Sequence, residues 1–428
     1  MNRSAPTSRR SFLTAGVTAA GTVLAGCSGD VSGVLGGSSG GETVKLGILE
    51  DRSGNFALNG TPKYNASMLA VEELNQNGGI LDNEIQTFTP DPQSDNQRYQ
   101  ELTRQAIRDE NVDALWAGYS SATRETIRPI IDQNEQLYFY TTQYEGGVCD
   151  AYTFCMGATA RQQLGSVFPY MIEEFGSDVY TIAADYNFGQ LSADWVRVLA
   201  DENDANVMGE EFIPLSVTDF GSTINNIQNA DPDFVMALLV GANHTSFWNQ
   251  RTSAGLEVPM GTSTVMAQGY QHERLDPPAM ANVYGGFNYM QEIPTERNQA
   301  FRDRYYEKFP DAPYINEEAV NNYFSIKMYA QAAEAVGSTN QSDIIEELES
   351  GMEISAPEGD ISLQGPVHHM THNMRVFRCD ADHNITVEAE EMIPEQFLSE
   401  TVGCDLTENE ETTQYVPADY FEEADATQ

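Results

Sequence analysis

Two successive series of alternating strand-like and helix-like segments predict an α/β fold of two Rossmann-like lobes, each built on a parallel sheet. Three observations carry that expectation. Short apolar runs rich in β-branched residues are bounded by glycine or acidic residues, amphipathic stretches of helical period lie between them, and the cycle starts afresh in the middle of the chain. At 428 residues with 40% hydrophobic side chains, the chain is long and apolar enough to fill two or three domain cores.

The first series opens at Val44-Lys45-Leu46-Gly47-Ile48-Leu49, a buried strand. A helix follows through Tyr64, Met68, Val71 and Leu74 at helical spacing, stopped by Asn77-Gly78-Gly79. A strand near Ile85 to Thr89, a helix from Asp95 to Arg108, a strand Val112 to Trp116 and a helix Thr123 to Asn134 lead to the apolar Leu137-Tyr138-Phe139-Tyr140. The second series pairs helix Arg161 to Phe175 with strand Val179 to Ala183, and helix Gln190 to Asp201 with strand Val207 to Ile213. Helix Phe220 to Asn229 then precedes Phe234 to Val240, the cleanest buried strand of the chain. A strand at Asn282 to Phe287, helices Glu296 to Phe309 and Glu317 to Val336, and a strand-rich finish between Gly359 and Val387 complete the body.

Asp and Glu number 65 against 22 Lys and Arg, a formal net charge of −43. That charge excludes a protein that grips nucleic acid through phosphate contacts, and equally a polybasic membrane-surface protein. With 20 Tyr and 19 Phe the acidity does not spell disorder. The only lysines are Lys45, Lys63, Lys308 and Lys327. A lysine-poor, carboxylate-covered surface fits concentrated salt, where the Debye length falls to ~3 Å at 1 M and self-repulsion is screened.

The N-terminus reads as an address. Ser8-Arg9-Arg10-Ser11-Phe12-Leu13 is a twin-arginine signal, the apolar stretch after it is too short to span a bilayer, and Leu24-Ala25-Gly26-Cys27 has the form of a lipobox. The expected product is an exported protein, lipidated at Cys27 and held on the outer face of the cell membrane, with Ser28 to Gly41 as a flexible tether. Four cysteines remain, an even number that suits extracellular disulfides. Proximity in sequence favours Cys149–Cys155 and Cys379–Cys404, although four cysteines allow three pairings.

In an open α/β sheet, ligands bind beyond the carboxyl ends of the strands. Five loops occupy such places: 117–121, 141–147, 185–189, 241–245 and 266–270. They offer hydroxyls, amides and aromatic faces, groups that hold a small neutral or zwitterionic solute in an apolar enclosure. Taken singly, Ser121 and Asn243 also read as helix caps. The candidate ligand set from these loops is Tyr119, Ser120, Ser121, Thr142, Tyr144, Glu145, Tyr186, Phe188, Asn243 and Gln268.

Several of these stretches resemble the type I periplasmic-binding-protein family, in the branch of ABC-transporter receptors for branched-chain amino acids, amides and urea. The stretches are Ala117-Gly118-Tyr119-Ser120-Ser121-Ala122-Thr123-Arg124, Tyr144-Glu145-Gly146-Gly147 and Gly157-Ala158-Thr159-Ala160-Arg161-Gln162-Gln163, with weaker support from 213–220 and 356–359. The resemblance covers Thr43 to Val387 and implies a Venus-flytrap fold, two lobes joined by three crossing strands that close on a solute. It implies lobe 1 at 43–158 and 285–338, lobe 2 at 159–284 and 339–395, and an acidic tail at 396–428 solvated from Glu408 to Asp425. It also implies that Tyr119, Ser121 and Tyr144 face Tyr186 across the cleft, that Ser121 bonds a ligand carbonyl or amide, and that Glu145 accepts an amide N–H. Amino-acid receptors of this fold offer a carboxylate from a second-lobe loop, where this chain has Gln268. Urea or a short-chain amide is therefore expected ahead of a branched-chain amino acid.

An enzyme is not expected. No Gly-x-Ser-x-Gly elbow occurs, and no Walker loop or Gly-x-Gly-x-x-Gly follows the first strand. His368-His369-Met370-Thr371-His372 lies in a strand whose alternation separates the first two rings, so no metal or other cofactor is assigned. The expected partners are the solute and the membrane subunits of an ABC permease, bound by a monomeric receptor of an importer; the alternative is a sensory amide-binding protein without a transport role. The charge makes one direct prediction. Raising KCl from about 0.1 M to about 1 M should raise the melting temperature; a melting temperature that falls would overturn the brine reading.

Overall fold

The computed structural model describes residues 43–424. The twin-arginine signal, Cys27 and the tether lie outside the described residues. The first series runs β1 (Val44–Leu49), α1 (Ala57–Gln76), β2 (Ile85–Phe88), α2 (Asn96–Gln105), β3 (Ala114–Ala117), α3 (Ser121–Gln133), β4 (Tyr138–Tyr140), β5 (Val148–Asp150) and β6 (Thr153–Cys155). Strands β2-β1-β3-β4-β6 pair in that order and all in parallel. The second series runs α4 (Ala160–Phe175), β7 (Asp178–Ala184), α5 (Asn187–Glu202), β8 (Asn206–Ile213), α6 (Gly221–Ala230), β9 (Phe234–Leu238), α7 (Gly241–His244), α8 (Ser246–Ser253), β10 (Met260–Thr262), α9 (Gln271–Arg274) and β11 (Val283–Phe287). Its strands pair in parallel in the order β8-β7-β9-β10-β11.

The chain then returns to the first lobe through α10 (Glu296–Lys308) and α11 (Glu317–Val336), followed by α12 (Gln341–Glu349), β12 (Glu353–Ala356) and β13 (Gly359–Gln364). Strand β14 (His369–Cys379) joins the two sheets: its start pairs with β6 and β13, and Arg375 to Cys379 pair with β11. With eleven residues at about 3.3 Å each, it is long enough to serve both. β15 (Ile385–Ile393) flanks it, and β16 (Thr412–Gln414) closes the series. Two parallel-sheet lobes are thus present as expected, crossed at 156–159, at 288–290 and along β14. Among the described residues no helix is long and apolar enough to cross a membrane.

Local chemistry fixes the helices that open toward the lobe junction. Thr159 and Gln162 form a capping box, each side chain bonding the other's backbone N–H. Gln162 Nε2 also donates to the main-chain oxygens of Met370 (2.9 Å) and Ile393 (2.8 Å), tying α4 to the strands behind it. Asn316 caps α11, and Gly337 ends it in the left-handed region. Trp116 stacks on Phe139 in the first lobe and donates to Ser325 Oγ at 2.9 Å, so β3, β4 and α11 share one core.

Three expectations change. The segment 339–368 belongs with the first lobe, because β13 pairs with the start of β14 and Gln136 Nε2 donates to Gln341 Oε1 at 3.0 Å. The exchange between lobes happens inside one strand, which segment counting cannot see. The tail is also more than a solvated extension: β16 pairs antiparallel with β5, and Phe397 and Phe421 set their ring edges against Trp195 of α5. Its apolar residues need burial while Glu408 and Glu410 stay exposed. Gly147 makes the docking possible, since a Cβ there would lie 1.9 Å from Tyr415 O.

The disulfide is Cys149–Cys404, and neither expected pairing forms. Cys149 sits with Leu398, Cys404 and Leu406 under the tail, whereas Cys155 points into the core with Tyr138, Tyr140 and Tyr144. Cys379 is held in β14 opposite Val283, and both thiols are free and buried. Peptide mapping without reductant should therefore recover a 149–404 crosslink, with Cys155 and Cys379 alkylated only after unfolding. Reducing the crosslink, which spans 255 residues, should cost about 2–5 kcal/mol in chemical denaturation.

Candidate functional site

After β3 the chain turns at Gly118, whose φ of +85° favours glycine, and presents Tyr119 before the first turn of α3. Ser120 is the helix cap, its Oγ accepting from Thr123 N at 3.1 Å. The next residue, Ser121, is buried and donates to Glu145 Oε2 from across the junction of β3 and β4. One turn on, Arg124 Nη2 donates to Glu145 Oε1 at 2.7 Å, with both side chains fully buried. The guanidinium also lies over the rings of Tyr140 and Tyr144, at 5.0 and 4.5 Å. Burial works to raise the Glu145 pKa, but the Arg124 charge and the bonds from Ser121, Arg124 and Gln414 outweigh it and hold the carboxyl below its usual range. Burial likewise opposes the Arg124 charge, and Glu145 overcomes it. Each charge holds the other ionised, so Arg124 and Glu145 form a buried ion pair.

A second acidic group sits where the lobes meet. Glu317 and Glu318 open α11 and are fully buried. Glu317 Oε1 accepts from Gln268 Nε2 of the second lobe at 2.9 Å and from Gln163 Nε2 at 3.5 Å, while its Oε2 has no hydrogen-bond partner. Gln268 is itself pinned by Asn59 Nδ2, which donates to its main-chain oxygen at 3.0 Å. Ser263 Oγ and Gln163 Oε1, both buried, also lack partners; the main-chain oxygen of Ser263 accepts from Gln268 Nε2 at 2.9 Å. Burial pushes Glu317 well up, with Glu318 adding to it, and lifts Glu318 to about 8 against the pull of its own N–H and of Lys63. Below them Lys63 pairs with Glu50 at 3.0 Å and donates to Gly118 O (2.6 Å) and Thr142 Oγ1 (3.2 Å).

The structure brings together five of the residues expected from sequence: Tyr119, Ser121, Glu145, Tyr186 and Gln268. Tyr119 packs on Phe56 with ring centroids 4.9 Å apart and leans on Glu318. Tyr186 opposes it from α5, close enough that the Glu145 charge adds to burial in raising its phenol pKa. Phe188 is buried behind Tyr186, 6.2 Å between ring centroids. Others do not reach the junction as free groups. Tyr144 is buried in the first-lobe core, its hydroxyl 2.5 Å from His369 Nε2, so it backs the site and does not wall it. Thr142 serves Lys63, and Ser120 serves its helix. Asn243 is exposed and donates to Leu215 O at 2.9 Å, holding a surface turn.

Lys63, Arg124, Gln163, Glu317 and Glu318 also stand at the site and were not expected from sequence. Arg124 carried a signal, one helical turn from Ser121. The Glu317-Glu318 pair carried none, because acidic residues after an Asn cap are ordinary in a first helical turn. The three clustered histidines go to separate partners: His368 to Asp150 O, His369 to Tyr144, and His372 to Glu358.

Residues 43–384 match the sequence profile of the family described as periplasmic binding protein. Among curated relatives, the Leu/Ile/Val-binding protein homolog 6 of Brucella abortus (strain 2308) is 20% identical over 341 residues, 78% of this chain and 86% of the relative. The protein of the same name from Brucella suis biovar 1 (strain 1330) is 21% identical over 342 residues, with the same coverage of both chains. Among solved structures, a branched-chain amino acid ABC transporter periplasmic ligand-binding protein of Burkholderia xenovorans LB400 superposes with a TM-score of 0.75 at 18% identity, covering 85% of this chain and 98% of its own. The Streptococcus pneumoniae branched-chain amino acid substrate-binding protein in complex with isoleucine gives 0.71 at 18%, covering 82% and 99%. A Rhodopseudomonas palustris BisB5 solute-binding protein in complex with 3,4-dihydroxybenzoic acid gives 0.71 at 17%, covering 82% and 98%.

The raised Glu318 carboxyl predicts a pH effect of definite sign. Between the ordinary 4.5 and about 8, the folded chain holds a proton that the unfolded chain has released, so this group's contribution to stability falls as pH rises through that window. The stability of Glu318→Gln relative to the parent should therefore grow from about pH 5 to about pH 8. Denaturation curves at both ends check this, and a difference independent of pH would contradict it.

Proposed function

The chain belongs to the periplasmic binding protein family, and from that premise we propose that it is the substrate-binding receptor of an ABC importer for a small, N–H-rich solute. The family and fold are those of solute receptors and not of enzymes. One observation carries the ligand class: polar oxygens buried at the junction between the lobes lack partners, and the amide oxygen of Gln163 among them can only accept. Glu317 Oε2, Gln163 Oε1 and Ser263 Oγ have no partner, and Tyr119 lies close to Glu317. Buried acceptors left open cost about 1–3 kcal/mol each, so a ligand supplying N–H groups gains what water-exposed sites do not offer. Urea or a short-chain amide meets that need with a compact set of donors.

A second reading, a branched-chain amino acid, is favoured by the names of the relatives and by the carboxylates themselves. Gln268 stands where amino-acid receptors of this fold carry an acid, and Glu317, bonded to Gln268, supplies an acid from the other lobe. Glu145 is not free to take an amide N–H, being held by Arg124, Ser121 and Gln414. In this proposal binding selects the closed arrangement, since contacts to both lobes exist only there, and the closed form docks on the permease. Export by the twin-arginine route and a lipid on Cys27 would keep a monomeric receptor on the outer face of the cell membrane.

A calorimetric and thermal-shift panel at high salt, with urea, short amides and branched-chain amino acids, tests the reading. Urea or an amide should raise the melting temperature, and Tyr186→Phe should weaken that ligand about three- to ten-fold, the worth of one hydrogen bond. A response to leucine-like ligands alone would replace the amide reading with the amino-acid one.

A further inference from the structure

Away from the solute cleft, a histidine and two carboxylates converge. His272 and Glu273 lie on the short helix α9, immediately after the loop that supplies Gln268, and Glu292 lies on the segment that leaves β11 for α10. One donor atom from each of the three falls within 4.8 Å of the others. We propose that His272, Glu273 and Glu292 bind a divalent transition-metal ion of the zinc class.

The independent observation is the state of His272. The residue is 5% exposed, and neither of its ring nitrogens has a hydrogen-bond partner. Buried polar atoms are almost always paired, so an imidazole with both nitrogens unpaired calls for a ligand. Its Nε2 lies 3.7 Å from Glu292 Oε1. That separation is too long for a hydrogen bond but fits two ligands of one ion, each about 2.0–2.2 Å from it.

The surroundings are arranged as metal sites are. Tyr314 O–H donates to the other Glu292 oxygen, Oε2, at 2.6 Å, which fixes the carboxylate and leaves Oε1 toward the histidine. The Tyr314 ring meets the imidazole edge-on, 5.1 Å between centroids, which holds the plane of His272. The neighbouring His383 shows the contrast: its Nδ1 bonds His272 O at 2.8 Å and its Nε2 accepts from Met280 N at 3.0 Å, so it is satisfied without an ion. Glu273 is exposed and closes the third side, with water free to complete the shell. An imidazole nitrogen in the set selects zinc, cobalt or nickel over magnesium and calcium, which prefer all-oxygen cages. Such an ion would fasten the Gln268 loop to the segment crossing between lobes, and the proposal stands whichever solute the cleft takes.

The test is a calorimetric titration of the chelator-stripped protein with zinc chloride in about 1 M KCl, where ions lying loosely on the acidic surface are screened. One equivalent should bind and resist an excess of magnesium. Glu292→Gln, which keeps an oxygen for Tyr314, and His272→Gln should each weaken binding by about ten-fold or more. Cobalt(II) should give a visible ligand-field spectrum that His272→Gln abolishes while circular dichroism stays that of the parent. Unsaturable binding shared by parent and variants would mean an adventitious ion only, and no heat from a folded, stripped protein would equally overturn the site.

Discussion

Strand β14 must satisfy two hydrogen-bond ladders at once, and the arrangement of both lobes depends on it. Its first residues complete the sheet that begins at Val44, and its last complete the sheet that ends at Val283 to Phe287. A shift of one residue would turn every side chain of the strand to the opposite face. Met374 and Phe377 would then leave their cores, His369 would lose Tyr144, and His372 would lose Glu358. Arg375 adds a clamp: its guanidinium donates to Asn288 O at 3.1 Å and Glu358 O at 2.7 Å, binding the second crossing segment to the third. Close packing at the remaining crossing leaves no room for error, since a Cβ at Gly157 would stand 2.5 Å from Thr142 O.

Around that strand the chain handles charge in two ways. The solvent side carries most of the carboxylates, whose mutual repulsion salt can screen. The interior pairs a few with great care: Glu50 with Lys63, Glu145 with Arg124, and Asp150 with Arg128 at 2.8 Å. One of only four lysines is spent at zero exposure, where it joins β1, α1, β3 and the loop after β4. A buried pair of this kind adds little net stability but is costly to break, by about 3–5 kcal/mol, so it specifies position more than it stabilises. Glu317 and Glu318 are the exception. Their positions at a helix N-terminus soften the cost, and Gln268, Gln163 and Tyr119 bond them, yet no cation among the described residues pairs with either at close range.

Much of this was legible in the sequence because it follows from local rules. The period of the apolar residues placed the strands and helices, and the expected start of α4 at Arg161 falls one residue from the observed Ala160. Loop position relative to strand ends found Tyr119, Ser121, Tyr186 and Gln268. What stayed hidden depends on partners far away in sequence. Cys404 reaches Cys149 only because β16 adds to β5, and Tyr144 is drawn inward by His369, 225 residues later. Glu317 looks like any of 65 acidic residues until α11 is seen to drive it into the junction. The short helices α7 and α8 went unread because Gly241 to Ser253 has no clean apolar period.

The strap formed by residues 396–424 is attached unequally. On the first lobe it is held by a covalent bond at Cys149 and a short ladder at β5, whereas on α5 it is held by the edges of Phe397 and Phe421 on Trp195 and by Arg197 Nη2 bonding Ala424 O at 2.8 Å. Any rotation that parts the lobes must spend its work on the weaker side, wetting three aromatic rings and releasing Trp195 Nε1 from Glu145 O. The strap therefore acts as a latch with a permanent hinge pin and a greasy catch. Its spring constant is set by aromatic surface, a quantity that heat and salt strengthen within limits and that a single truncation at Phe421 would loosen.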